Sequence, residues 1–331
     1  MPNNKVGKAI AFIALSLLVL YSGYQLLLEK APLQEMESLD SLESLESIDS
    51  IDSEIHIIDS SMDAASGHAA SESIESQQNL NPIESLEELM ASPGGYNKKY
   101  GWGIVRSKNE KGPQVPQWEI DLLKDYDAFY IGKKDEKAVT LTFDMGYEKE
   151  GGTPKILDTL AKHNIKATFF FTGHWVKTQP DLLKRIIEEG HIVGNHTWKH
   201  PSLPDLSGDK IKNEIMVLHN HIKDHTGYET KYLRPPRGEF SRRSLEISKN
   251  LGYQSVFWSI AVVDWKPSSN EKSIYQGVID QLHPGAIILL HGNSEGVINQ
   301  LENIIDTIEK KGYKIVSLED IKPYEMEIAP Q

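Results

Sequence analysis

Cysteine is absent from the 331 residues, which excludes disulfides, thiolate nucleophiles and cysteine-ligated zinc. Lysine and arginine are absent from residues 31–97, which carry fifteen acidic side chains, and no aromatic residue lies between Tyr24 and Tyr96. Of the formal charge of −13, residues 1–30 contribute +2 and residues 31–97 contribute −15, so residues 98–331 are neutral. The acidity belongs to one segment, and a basic surface for nucleic acid is not indicated. A Gly-rich nucleotide fingerprint is also missing, which removes the usual signature of a dinucleotide fold.

Lys5 and Lys8 precede an uncharged, mostly apolar run at 9–28. Basic residues followed by about 20 apolar ones describe an export signal or a spanning helix with its amino terminus in the cytoplasm. Tyr21, Tyr24 and Gln25 crowd the small residues Ser22 and Gly23, leaving no clear small-x-small cleavage site. The expectation is therefore an uncleaved anchor over residues 1–30 and a membrane-anchored, extracytoplasmic protein; a cleaved signal, giving a secreted one, is the alternative. In residues 31–97 a three-residue unit places Leu39, Leu42, Leu45, Ile48 and Ile51 three apart. Steps of three lag the helical turn by about 60°, so these side chains spiral round a helix instead of forming a stripe. A disordered acidic spacer is expected, with a weak coiled coil as the competing reading.

From residue 138 apolar, β-branched runs alternate with helical patterns. Strands are expected at 139–143 (VTLTF), 167–172, 191–195, 232–233, 255–263 and 286–290, and helices at 153–163, 179–189, 207–225, 241–251, 274–282 and 297–311. In the 207–225 helix, Ile211, Ile215, Leu218 and Ile222 form a core-facing stripe behind Ser207, a good capping residue. Strands separated by helices of ten or more residues are parallel with right-handed crossovers. An α/β barrel, closed or nearly so, is expected over 138–325, with a doubly wound open sheet as the alternative and a lead-in segment at 98–137.

Several strands end in residues that are costly to bury. Asp144 ends the first, His196 and His200 follow the third, Arg234 follows YL, Asp264 and Trp265 follow SIAVV, and His291 follows AIILL. All would meet at the carboxyl face of a parallel barrel. His196 and His200 are spaced to reach one zinc-like ion, although the spacing alone fits a structural pair as well. Asp144 can act as a base toward metal-activated water, Arg234 can hold it ionised, and His291, tuned by Asp264, can protonate a leaving group. The plainer alternatives are a surface ion pair for Arg234 and a packed strand-end histidine for His291. His221 and His225, also four apart, lie on the 207–225 helix and are expected to face solvent. His163, His174, His191 and His283 are read as structural.

The set TFDMG, HTWKH, RPPRG, DWKP and LLH, in this order, resembles the polysaccharide deacetylases of NodB homology, carbohydrate esterase family 4, over about residues 138–320. The resemblance implies a distorted (β/α) barrel and a metal-dependent de-N-acetylase. It implies Asp144 as base, His196 and His200 as ligands of a divalent metal of the zinc type, and Thr197 as support of their loop. It further implies Arg234 orienting Asp144, Asp264 tuning His291 as acid, and Trp265 and Leu289 lining the acetyl pocket. GWG at 101–103, YDAFYIG at 126–132, FFFTGHWVK and VFWSIAVVDWK are similar to the delta-lactam-biosynthetic group of spore-forming bacteria. That similarity implies N-acetylmuramic acid of the peptidoglycan glycan strand as substrate, on the route to muramic delta-lactam of spore cortex. N-Acetylglucosamine units, or glycan binding without catalysis, are the alternatives. Met145 departs from the family, which has a second Asp there as ligand; a thioether suits a hard or borderline cation poorly. Glu148 is the candidate replacement ligand.

Overall fold

A computed structural model describes residues 96–266 and 269–323. The apolar run at 9–28 and the acidic spacer up to residue 95 lie outside these residues. Among the described residues no helix is long and apolar enough to cross a membrane.

The lead-in segment contributes strands β1 (Tyr100–Gly101) and β2 (Ala128–Phe129) and helix α1 (Gln117–Asp125). Strand β3 (Ala138–Met145) follows, then α2 (Gly152–Lys162), β4 (Thr168–Phe171), α3 (Gly173–Thr178), α4 (Pro180–Glu188), β5 (Ile192–Asn195) and α5 (Gly208–Thr226). The chain continues through β6 (Tyr232–Leu233), β7 (Glu239–Phe240), α6 (Arg242–Asn250), β8 (Gln254–Val256), β9 (Ile260–Ala261), α7 (Glu271–Ile279), β10 (Ala286–His291), α8 (Glu295–Lys310), β11 (Lys314–Ile315) and α9 (Leu318–Ile321). The main sheet runs β2-β8-β6-β5-β4-β3-β10-β9, with β11 also paired to β3, and its ladders are parallel.

The stretch 255–263, expected as one strand, is two. β8 lies near one end of the sheet and β9 at the other. Residues 257–259 join them, with the Phe257 amide donating to Phe129 O at 2.8 Å and the Ser259 amide to Ile287 O at 3.0 Å. The chain itself thus bridges the two ends of the sheet, which is the distortion of this barrel.

β3 is buried at every position and sorts its side chains by the period of two that a strand imposes. Val139, Leu141, Phe143 and Met145 pack into the helical layer with Ile156 and Leu160 of α2 and Leu301 and Ile305 of α8. Thr142 and Asp144 turn the other way, toward Arg234. Each fully buried aliphatic or aromatic side chain contributes about 1.5–3 kcal/mol, so this outer packing holds the polar inner face in register. The α5 stripe is buried at all four positions. Ser207 does occupy its N-cap position, but its hydroxyl makes no cap hydrogen bond. Ser241 instead forms a full capping box with Ser244 at the start of α6.

Trp102, Ile104, Leu122, Leu123 and Tyr130 of the lead-in are buried against Phe240, Phe257, Trp258 and Leu289. The segment ahead of residue 138 therefore shares a core with the strand that carries His291.

Candidate active site

Asp144 and His291 are register partners on the adjacent strands β3 and β10. Neighbouring strands lie about 4.8 Å apart, so the expected base and acid stand side by side on the same face. Arg234 is wholly buried and donates from Nη1 to Asp144 Oδ1 at 2.8 Å, from Nη2 to Thr142 Oγ1 at 2.9 Å and from Nε to Val256 O at 3.1 Å. The Phe170 ring lies 4.2 Å from its guanidinium carbon. Pro235 and Pro236 stiffen the backbone that follows. Burial pushes the Asp144 carboxyl up, but the Arg234 guanidinium, with His196 and His291, more than offsets this and holds it below its ordinary value.

The HTWKH loop carries two non-glycine residues with left-handed backbone, Thr197 at φ 67° and His200 at φ 59°. Such strain persists where surrounding bonds over-determine it. Here Asn195 Oδ1 accepts from the Thr197 amide at 2.9 Å, and Thr197 Oγ1 accepts from the His200 amide at 3.1 Å. Thr197, fully buried, is thus directed at its own loop. His196 Nδ1 lies 2.8 Å from Arg234 O; a carbonyl only accepts, so Nδ1 carries the proton and Nε2 of the neutral ring keeps its lone pair. That Nε2 is 3.2 Å from His200 Nε2 and 3.5 Å from Asp144 Oδ2. Burial pushes His196 down, and burial together with the His196 ring pushes His200 down to about 3. Two neutral imidazoles with converging lone pairs beside a carboxylate form a donor set that fits a divalent cation of the zinc type.

Asp264 holds His291 twice. Its Oδ1 accepts from the ring Nδ1 at 2.7 Å and its Oδ2 from the backbone amide at 2.8 Å, while Ser294 Oγ donates to Asp264 O at 2.7 Å. Burial lowers the His291 pKa, but the Asp264 carboxylate, by charge and hydrogen bond, together with Asp144 outweighs it and the net shift is upward. Leu289, two residues earlier on the same face, packs with the lead-in aromatics. Trp265 is half-buried and lines a cavity of about 450 Å³ with Asp264, Asn293 and Ser294.

Glu148 bonds to the first turns of α2 and α3. Its Oε1 accepts from the Thr153 amide at 2.9 Å, and its Oε2 from Thr153 Oγ1 and, at 3.2 Å, from Trp175 Nε1. The expected replacement ligand is instead a cap on the first turn of α2. Glu148→Ala is accordingly expected to lower stability by about 1–2 kcal/mol and to leave zinc affinity unchanged, as denaturant melts and calorimetric titration would read out. Met145, fully buried, packs against Gly292, where any added side-chain carbon would collide with its sulfur. It belongs to the helical layer and not to the imidazole pair.

His225 is exposed, whereas His221 is half-buried against Trp198. His191 is buried with its Nδ1 accepting from the Ala167 amide, and His283 is buried with both ring nitrogens bonded. Thr142, Asn195 and Tyr253 went unnoticed in the sequence. Tyr253 shares the Asn195 amide with Ile215 O, and the only clue was an asparagine closing an apolar strand.

The family model described as polysaccharide deacetylase matches residues 131–256. The peptidoglycan-N-acetylmuramic acid deacetylase PdaA of Bacillus subtilis (strain 168) is 46% identical over 228 residues, covering 68% of this chain and 86% of that relative. A peptidoglycan-N-acetylglucosamine deacetylase of Bacillus cereus is 37% identical over 219 residues, covering 65% and 78% respectively. The solved structure of B. subtilis PdaA, described as a family 4 carbohydrate esterase, aligns with a TM-score of 0.66 at 46% identity, covering 68% of this chain and 97% of that one.

Proposed function

The chain belongs to the polysaccharide deacetylase family, carbohydrate esterase family 4, and from that premise we propose that it removes the N-acetyl group of N-acetylmuramic acid in peptidoglycan with the help of a divalent metal. As a member of this family it is a hydrolase of amide bonds. The observation that carries the reading is the pairing of a buried Asp144–Arg234 couple with an Asp264–His291 couple on adjacent strands. A protein that only binds glycan needs neither a base held ionised nor an acid held protonated.

His196 and His200 would hold the cation, which when bound would supply Lewis acidity to the amide carbonyl and lower the pKa of water. Arg234 occupies Oδ1 of Asp144, so Oδ2, on the His196 side, is the oxygen that takes the proton from the attacking water. His291 uses Nδ1 for Asp264 and gives its Nε2 proton to the departing amine nitrogen. Water is consumed, acetate leaves, and the sugar keeps a free amine. Thr142, Phe170 and Asn195 hold these groups in place without touching substrate.

The preference for muramic acid is supported by the identity to the B. subtilis enzyme and by the similarity of 101–103, 126–132 and 256–266 to the delta-lactam group. A role in making muramic delta-lactam during sporulation follows from that reading. Peptidoglycan lies outside the cytoplasmic membrane, so residues 9–28 would serve as export signal and tether, with residues 31–97 giving reach.

Mass spectrometry of digested peptidoglycan after incubation with the full chain is expected to show acetyl loss from muramic acid units, abolished by chelator and restored by added zinc. Acetyl loss confined to glucosamine units would reassign the substrate. No release of acetate at any metal concentration would leave glycan binding as the function.

A further inference from the structure

Three residues beyond Arg234 stands a second arginine that the reaction above does not use. Arg237 has φ 59° and ψ 7°, a left-handed backbone that favours glycine and is tolerated by other residues where the surroundings enforce it. The enforcement is visible on both sides. Pro236 precedes it, and Gly238, at φ 68°, is pressed so closely that an added Cβ would collide with Trp258 and crowd Trp102. Gly238 O also accepts from the Trp102 amide at 2.9 Å. The backbone of the loop is therefore constrained where the arginine stands.

Among the described residues the Arg237 side chain has no partner. Its Nε is buried without a hydrogen bond, and among the described residues its guanidinium makes no hydrogen bond and no ion pair. Its charge acts on both His200 and Asp205. Asp205 is already engaged by Lys99 at 2.7 Å. A planar cationic fork, half-buried on the loop whose Arg234 carbonyl bonds the His196 ring, is shaped for the bidentate bonds a carboxylate accepts. Muramic acid differs from glucosamine by one substituent, a lactyl ether that ends in a carboxylate. Any site that separates the two sugars has to read that group.

Building on the muramic acid reading above, we propose that Arg237 is a specificity-determining residue that binds the lactyl carboxylate of the sugar being deacetylated. Neutral glucosamine units leave the guanidinium buried and unpaired, so they bind less well. Arg237 acts on binding, and the proton transfers of Asp144 and His291 are untouched.

The test compares the full chain with Arg237→Gln, Arg237→Lys and Arg237→Asn, the last chosen because asparagine tolerates a positive φ. Each is assayed on muramic-acid-containing glycan with free lactyl carboxylates and on the same glycan with those carboxylates converted to methylamides. On the free-carboxylate glycan, Arg237→Gln and Arg237→Asn are expected to raise KM about tenfold or more with kcat within about twofold, the pattern of lost uniform binding. Arg237→Lys recovers part of the loss, and on the methylamide glycan wild type and variants have the same KM. Unchanged KM on the free-carboxylate glycan, or equal losses on both glycans, overturns the assignment. If the wild-type chain removes acetyl groups only from glucosamine units, the muramic acid reading fails first and the role of Arg237 falls with it. If wild type acts on muramic acid while the variants keep its KM, only the role of Arg237 fails.

Discussion

Arg234→Leu is expected to lower the free energy of unfolding at pH 7 by about 3–5 kcal/mol, the range for breaking one side of a buried ion pair. In a domain of this size that corresponds to a fall in Tm of roughly 6–20 °C. The magnitude follows from what the guanidinium leaves behind. Asp144 would remain ionised in a site where burial alone pushes its carboxyl up, and Val256 O would lose its 3.1 Å donor. Thr142 Oγ1 would lose its bond from Nη2 but keep its own donation to Ile288 O at 2.7 Å. Surface pairs such as Lys149–Glu295 offer the contrast, since exposed pairs contribute about 0–1 kcal/mol. Adding Asp144→Asn to the leucine variant removes the unpaired charge and should recover part of the stability, while activity stays lost. Urea melts of the three proteins measure both steps. A loss below about 1 kcal/mol in the single variant would mean that water reaches the site and that the pair is not buried in solution.

The parts of this site that were legible in the sequence are those that depend on local periodicity. Asp144 could be placed at a strand end because VTLTF alternates over enough residues to fix a face, and the four buried residues of α5 repeat at helical spacing. Arg234, Asp264 and His291 were visible because each closes an apolar run. What escaped depends on contacts between distant segments. The break at 257–259 is set by Phe129 and Ile287, more than a hundred and nearly thirty positions away by the numbering, and nothing in VFWSIAVV announces it. Glu148 was close in sequence to Asp144, yet proximity along the chain does not determine direction, and Thr153 and Trp175 claim both its oxygens. Met145 was expected to weaken a metal site it does not face, because the strand continues one residue past Asp144 and alternation turns the thioether away. The left-handed backbones of Thr197, His200 and Arg237 carry no compositional mark, since no glycine or asparagine stands at those positions.

Asp264→Asn is expected to lower kcat at neutral pH by about 10²–10⁴-fold, the range for losing a positioned general acid, and to move the alkaline limb of the kcat profile to lower pH. The direction follows from the opposing causes at His291. Burial lowers its pKa, Asp264 raises it by charge and hydrogen bond, and the net value lies above the ordinary 6.5. Without the carboxylate the lowering causes, burial and then Arg234, are left unopposed by Asp264, so the imidazolium gives up its proton earlier as pH rises. The acid form then becomes scarce at neutrality and is recovered on acidification, so the deficit relative to wild type should narrow toward pH 5.5. Stability carries the same sign. A histidine with raised pKa in the folded state contributes stability that is fully present below its unfolded value near 6.5 and is lost as pH rises through the higher folded value. The wild-type advantage over Asp264→Asn should therefore shrink on the alkaline side, apart from the pH-independent part owed to the bond from the His291 amide. A pH–rate profile together with denaturant melts across the same range checks both consequences. An alkaline limb that stays where it is in the variant would mean that His291 is not the proton donor, whatever the loss in rate.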